Sequence, residues 1–251
     1  MALRIVSWNC ENLVPHLASV PAILERLGDP DVLCLQEARI RHSDSQLVAV
    51  LMAAAPGYVC HHSLNRDTRN ATFRGGRAHG VVTYLRSSLG PATAETPPWD
   101  LEGRLVISRL RDLSIGNVYA VNGNDRPYFD HDLQQIAGDR HAFKRHFQKR
   151  VLARAGELRL EGGVVMAGDW NVSQTKLDTY PRLRTEPPHA RARAEFDEHR
   201  AAAGMIDVFR RRFPEERAYT WFNRRSRAGR LDAARVDFVL VAEELLPRVI
   251  L

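Results

Sequence analysis

The chain has 251 residues, 44% of them hydrophobic and 26% charged, with a net charge of +6. That size and balance suit one globular domain over 1–251 and exclude bulk disorder. No apolar run approaches the roughly 20 residues that span a bilayer, and "MALRIVSWNC" lacks the pattern of a secretory signal. Three cysteines without a C-x-x-C pair argue against a disulfide scaffold or a zinc site, so a reducing, cytoplasmic setting is expected.

In chain order, Leu3–Trp8 reads as a strand, and Leu17, Val20, Ile23, Leu24 and Leu27 repeat at helical spacing. Gly28 and Pro30 end that helix and lead into a second strand, "DVLCLQ". Residues 44–54 predict a helix, Tyr58–His62 and Gly80–Leu85 strands, and 65–77 a polar loop between them. Leu105–Leu110 and Ser114–Val121 predict a hairpin turning near Arg111 and Asp112. Phe143, Phe147 and Val151 mark a helix that leaves Lys144, Arg145, Gln148, Lys149 and Arg150 toward other faces. Val164–Ala167 is a short buried strand followed at once by "GDWN"; 179–193 reads as a surface loop and 195–213 as helical. Tyr219–Phe222 reads as extended and Val236–Val241 as the final strand. This alternation predicts an α/β protein with two sheets packed face to face and helices outside.

Polar residues of one chemical kind sit where the apolar strands end. Asn9 follows Trp8, Glu37 follows "DVLCLQ", Asp169 and Asn171 follow "VVMAG", and Asp237 lies inside "ARVDFVLV". An acid in an apolar strand is costly unless it is paired, hydrogen-bonded or bound to a metal. Any one of them has a plain structural use as a cap or a salt-bridge partner, but strand ends on one side of a sheet converge. Oxygen donors without cysteine or clustered histidine favour Mg²⁺ or Mn²⁺ over zinc, and such a metal serves phosphoryl chemistry. All but three of the 36 basic residues are arginine. Codon usage in a GC-rich genome explains that composition by itself, but its distribution is uneven. Eight arginines fall between 210 and 230 and four in 182–193, a pattern suited to a polyanion. Cys34, on an apolar strand, reads as a small core residue.

The segments "IVSWNCENL", "DVLCLQEARI", "HGVV", "VYAVNGN", "GDWNVSQTKLD", "GMIDVFRRRFPEERAYTWF" and "RVDFVLVA" occur in one order along nearly the whole chain. In this the sequence resembles the exonuclease III/AP endonuclease branch of the endonuclease/exonuclease/phosphatase superfamily. The resemblance implies a four-layered α/β sandwich and a Mg²⁺-dependent (or Mn²⁺-dependent) nuclease of base excision repair. Such an enzyme cuts duplex DNA 5′ to abasic sites and trims blocked 3′ ends. Glu37 would be the principal metal ligand, with Asn9, Glu11, Asp169 and Asn171 completing or ordering the site. Tyr119 would contact the scissile phosphate, Asp169 handle protons, Asn171 steady the transition state, and Asp237 orient a catalytic histidine. Asn122, Arg126, Lys144, Trp221 and Arg225 would meet DNA, while Asp178 would tie down the loop after "GDWN". The family pattern continues with a Ser-Asp-His segment and a last strand, neither of which follows "RVDFVLVA" here. A sandwich lacking that strand and an impaired centre are therefore expected. The aromatic residue that often precedes the R-[IL]-D motif in this family is replaced by Ala233-Ala234. Other readings are a superfamily phosphodiesterase or phosphatase for lipids or nucleotides, and a degenerate DNA-binding member. A monomer associated with the nucleoid, or nuclear in a eukaryote, completes the expectation.

Overall fold

A computed structural model of the chain describes residues 2–223 and 231–250. The backbone groups into two compact units, Met1–Tyr119 and Ala120–Leu251.

In the first unit, β1 (Ile5–Asn9) pairs parallel with β2 (Val32–Gln36). The connection between them carries a short 3₁₀ turn, Val14–Ser19, and α1 (Val20–Arg26). After α2 (Ser45–Ala53), β3 (Tyr58–Ser63) and β4 (Val81–Arg86) complete a mixed sheet in the order β1-β2-β4-β3. Then β5 (Thr93–Glu95), β6 (Leu105–Arg109) and β7 (Leu113–Tyr119) pair antiparallel in sequence. The continuous apolar run of β2 follows from burial on both of its faces. Leu33 and Leu35 pack with Leu17, Val20, Leu24 and Leu51 on the helical side. Val32 and Cys34 pack with Leu85 and Ile115, facing the second set of strands.

Across this second face lies a polar knot. Asn117 is fully buried on β7, and its amide donates to the Leu35 carbonyl at 3.1 Å and the Val82 carbonyl at 2.8 Å. Its oxygen accepts from Gln36 Nε2 at 2.8 Å. A buried polar group persists only when so satisfied, and here the satisfaction locks β2, β4 and β7 to one another.

The second unit begins with a hairpin that the sequence pattern does not announce, β8 (Pro127–Asp130) and β9 (Gln135–Asp139). It leads into α3 (Arg140–Arg159), whose N-terminus is capped by Asp139 accepting from Ala142 N at 2.8 Å. Strand β10 (Gly163–Asp169) pairs antiparallel with β15 (Asp237–Ala242), which pairs antiparallel in turn with β12 (Met205–Asp207). A small ribbon of β11 (Thr179–Tyr180), β13 (Trp221–Phe222) and β14 (Ala233–Ala234) stands apart from them. Trp170 is fully buried against Phe196, with ring centroids 5.3 Å apart.

Three expectations are corrected in this unit. The segment 179–193 is not all loop, because α4 (Pro187–Ala202) begins inside it, started by the proline pair at 187–188. Residues 195–213 are not one helix either. Gly204, at φ +63°, ends α4, β12 follows, and Asp207 then caps a new helix, α5 (Val208–Arg212), by accepting from Arg210 N at 3.2 Å. Lastly, Lys144 and Gln148 do not point away from the apolar face of α3. Both are buried, one turn apart, with Nζ donating to the Asn171 carbonyl at 2.5 Å and Nε2 to the Trp170 carbonyl at 2.9 Å. Among the described residues no helix is long and apolar enough to cross a membrane.

Candidate active site

Parallel pairing places Asn9 opposite Gln36, so the next residue, Glu37, leaves its strand beside the Asn9 side chain. Glu37 takes a left-handed conformation, φ +61°, which few side chains adopt freely. Its Oε1 accepts from Asn9 Nδ2 at 3.2 Å and from the Tyr119 hydroxyl at 2.9 Å. Its Oε2 takes two bonds from Arg39, from Nε at 3.1 Å and Nη2 at 2.5 Å. Asn9, Glu37 and Tyr119 are thus brought together, with a guanidinium closing the fourth side. Glu11 joins this group through its backbone N–H, which donates to Asn9 Oδ1 at 3.0 Å; its side chain is exposed.

No group of three His, Cys, Asp or Glu side chains among the described residues is arranged to hold a metal. The donors present are one carboxylate and one amide. That set fits a hard cation such as Mg²⁺, which keeps several waters and takes phosphate oxygens rather than sitting in an all-protein cage. Cys10 and Cys34 offer no thiolate alternative, because burial pushes both thiols up to about 12.

In the second unit, β10 delivers Asp169 at its end, directly opposite Asp237 on β15. Asp169 Oδ1 accepts from Asn171 N at 2.8 Å, and Asn171 Nδ2 donates to the Ala120 carbonyl at 2.8 Å. Like Glu37, Asn171 has a positive φ, +51°. Burial pushes the Asp237 carboxyl above the ordinary aspartate range, opposed by a hydrogen bond with Thr220. Asp169, Asn171 and Asp237 therefore form a second gathering of oxygen and amide groups.

A cavity of about 210 Å³ opens beside them. Asn122, Lys144, Asp169, Asn171, Tyr180 and Trp221 are among the residues that line it. Arg182, Arg184 and Arg193 supply cations, and His189, whose imidazole burial and the nearby Arg184 hold below the ordinary histidine value, lines it beside them. Lys144 is only 5% exposed, and burial lowers its ammonium to about 8, opposed by Asp169 and reinforced by Arg184 and Arg193. Arg126 does not line this cavity; it is exposed where the β8–β9 hairpin begins. Arg225 lies outside the described residues.

Asp178 is fully buried among cations. It accepts from Arg235 Nε at 2.6 Å and Arg210 Nη2 at 2.7 Å, and Arg235 reaches on to Asp207 at 2.8 Å. Burial raises the Asp178 carboxyl, but the bonds from Arg235, Arg210 and Thr175 outweigh it and leave the group below the ordinary range. Sequence reasoning missed Arg39 and the pairing of Asp178 with Arg210 and of Arg235 with Asp207, whereas Arg184 and Arg193 belong to the arginine cluster of 182–193 that it read as suited to a polyanion. It missed a set around Tyr119 as well, comprising the buried Arg104 and Glu102 and the half-buried His79. The available signal for that set was "DLEGR", a dense charge cluster immediately before an apolar strand.

The profile of the Endonuclease/Exonuclease/phosphatase family matches residues 6–251. Recombination repair protein 1 of Drosophila melanogaster is 25% identical over 257 residues, covering 99% of this chain and 34% of that protein. The chain thus spans about a third of that relative. The exodeoxyribonuclease of Bacillus subtilis is 24% identical over 253 residues, covering 97% of this chain and 89% of its own length. Among solved structures, the Xenopus laevis APE2 catalytic domain superposes with a TM-score of 0.74 at 23% identity, over 98% of this chain and 84% of that one. A 3′ phosphatase from Neisseria, NExo, bound to a product DNA hairpin, gives 0.72 at 23% identity, over 98% and 89%. These likenesses show a shared α/β fold of packed mixed sheets flanked by helices.

Proposed function

The chain belongs to the endonuclease/exonuclease/phosphatase family, in its exonuclease III/AP endonuclease branch of hydrolases, and we propose that it cleaves phosphodiester bonds in DNA. The proposed substrates are duplexes carrying abasic sites or blocked 3′ ends, and the proposed setting is base excision repair by a monomer at the nucleoid or in the nucleus. The observation that carries this reading is the Glu37 carboxylate held between Asn9 and Tyr119 just past the end of a buried strand.

Glu37, with Asn9 beside it, would hold Mg²⁺ or Mn²⁺. When bound, that ion supplies charge neutralisation at phosphate oxygens. Glu11, bonded to Asn9 through its backbone, would help order that site. The Tyr119 hydroxyl would donate to a non-bridging oxygen of the scissile phosphate, stabilising charge as it builds. Asp169 would take the proton of the attacking water, and the Asn171 amide would steady the crowded phosphorus. Asp237 would orient a catalytic histidine. The cations at Lys144, Arg184 and Arg193 support a polyanionic substrate, and Trp221 offers an exposed aromatic face beside them. Asn122, Arg126 and Arg225 are proposed to meet the DNA backbone.

The test is incubation with a duplex carrying one abasic analogue, with Mg²⁺ and separately with EDTA. Metal-dependent incision at the analogue is the expected result; intact duplex under both conditions would overturn the reading.

A further inference from the structure

We propose that Arg104 is a positioning residue for Tyr119, a charged clamp buried behind the phenol that sets where its hydroxyl points. The proposal rests on the reading of Tyr119 as a phosphate-contacting group.

Arg104 is 2% exposed. Its Nη1 donates to the Tyr119 carbonyl at 3.1 Å, and its guanidinium carbon lies 4.9 Å from the centre of the Tyr119 ring. The same side chain therefore grips Tyr119 at the backbone and over the ring face, where a cation is attracted to the π-electrons. Three neighbours hold the clamp. Glu102 accepts from Arg104 Nε at 2.5 Å and is itself buried. Asp100 accepts from the backbone N–H of Arg104 at 2.6 Å and of Leu105 at 2.7 Å, fixing the strand entry. His79 lies 2.9 Å from Arg104 Nη2, 3.5 Å from Glu102, and 5.7 Å from Tyr119 between ring centres.

A buried ion pair is a poor device for stability alone, since apolar residues of similar volume commonly do as well or better. What an apolar residue cannot do is hold a carbonyl and a ring face at once. At the far end of Tyr119 the hydroxyl meets Glu37. A small rotation of the ring would move that oxygen off the carboxylate, and misplacement by about 1 Å costs on the order of 10²-fold in rate.

The experiment compares wild type with the pair Glu102→Gln/Arg104→Met, which removes both buried charges while keeping volume, and with Arg104→Lys. Each is made with Tyr119 intact and with Tyr119→Phe, and thermal melts check that each folds. On the abasic-analogue duplex the pair is expected to lower kcat about 10²-fold with KM nearly unchanged. In the Tyr119→Phe background it should change kcat by no more than about 2-fold, the usual error of additivity. Arg104→Lys should recover only part of the loss, since an ammonium lacks the planar fork. Equal losses in both backgrounds would overturn the proposal. An independent arm uses ¹³C-tyrosine NMR, with the Tyr119 ring signal assigned from Tyr119→Phe. That signal should shift in Glu102→Gln/Arg104→Met while the other tyrosine signals hold. A stationary Tyr119 signal overturns the clamp even if the wild type proves inactive, a result that would count against the functional reading instead.

Discussion

The Tyr119 hydroxyl donates to Glu37 Oε1 at 2.9 Å, joining the last residue of β7 to the first residue beyond β2. Removing that hydroxyl in Tyr119→Phe leaves Glu37 its bonds from Asn9 and Arg39. The fold should lose about 1.5–3 kcal/mol, the worth of one hydrogen bond to a charged acceptor. Turnover should fall about 10²-fold, as when a donor to developing charge is lost. Denaturant melts and single-turnover incision assays separate the two quantities.

Glu37→Gln keeps the shape and removes the charge. The variant should bind Mn²⁺ at least about 10-fold more weakly, and its incision should fall further than its affinity. Titration calorimetry with Mn²⁺ alone gives the first number without any substrate. Unchanged Mn²⁺ affinity would mean that the metal is held elsewhere.

Asp178 carries the largest stability prediction. Asp178→Asn leaves Arg235, 3% exposed, and Arg210 without the carboxylate they share, a loss of about 3–5 kcal/mol for a broken buried pair. The contribution is pH-dependent with a definite sign. The folded carboxyl titrates below its unfolded value of about 3.9, so between the two the unfolded chain binds more protons and stability rises with pH. The gap between wild type and Asp178→Asn should therefore be full above about pH 4 and shrink as pH falls through the depressed value. Urea melts at stepped pH read it directly.

Arg184 and Arg193 make the electrostatic prediction. Neither is in an ion pair among the described residues. Each replaced by alanine should weaken duplex binding at low salt. Each should also flatten the plot of log affinity against log salt by about 0.9 if it neutralises one phosphate. Fluorescence anisotropy across a salt series gives both values, and an unaltered slope would remove these residues from the DNA footprint.

How much of this was legible in the sequence differs by element. β2 and β10 were, because burial on two faces leaves uninterrupted apolar runs, and a charged residue just past such a run stands out. Glu37 and Asp169 were found that way. The partners of Glu37 are another matter: Tyr119 was reached through family resemblance, and Arg39 not at all, since an arginine on a loop has no period. Lys144 misled for the opposite reason. Its charge placed it on the outward side of α3, whereas two carbonyls left bare after β10 draw Lys144 and Gln148 inward. The break at Gly204 and the start of α4 at a proline pair were readable as turn chemistry. They were masked because proline and arginine made 179–193 read as loop and because 195–213 reads as one helical stretch straight through the break.

The left-handed turns at Glu37 and Asn171 set a trade between durability and use. Glycine at either place would relax a backbone held at a cost of roughly 1 kcal/mol, but it would also delete the bonds that Glu37 makes with Asn9, Tyr119 and Arg39 and that Asn171 makes with Ala120. The strain at each turn is thus borne by the same polar contacts that hold the two side chains in their clusters, so durability and chemistry draw on one set of bonds.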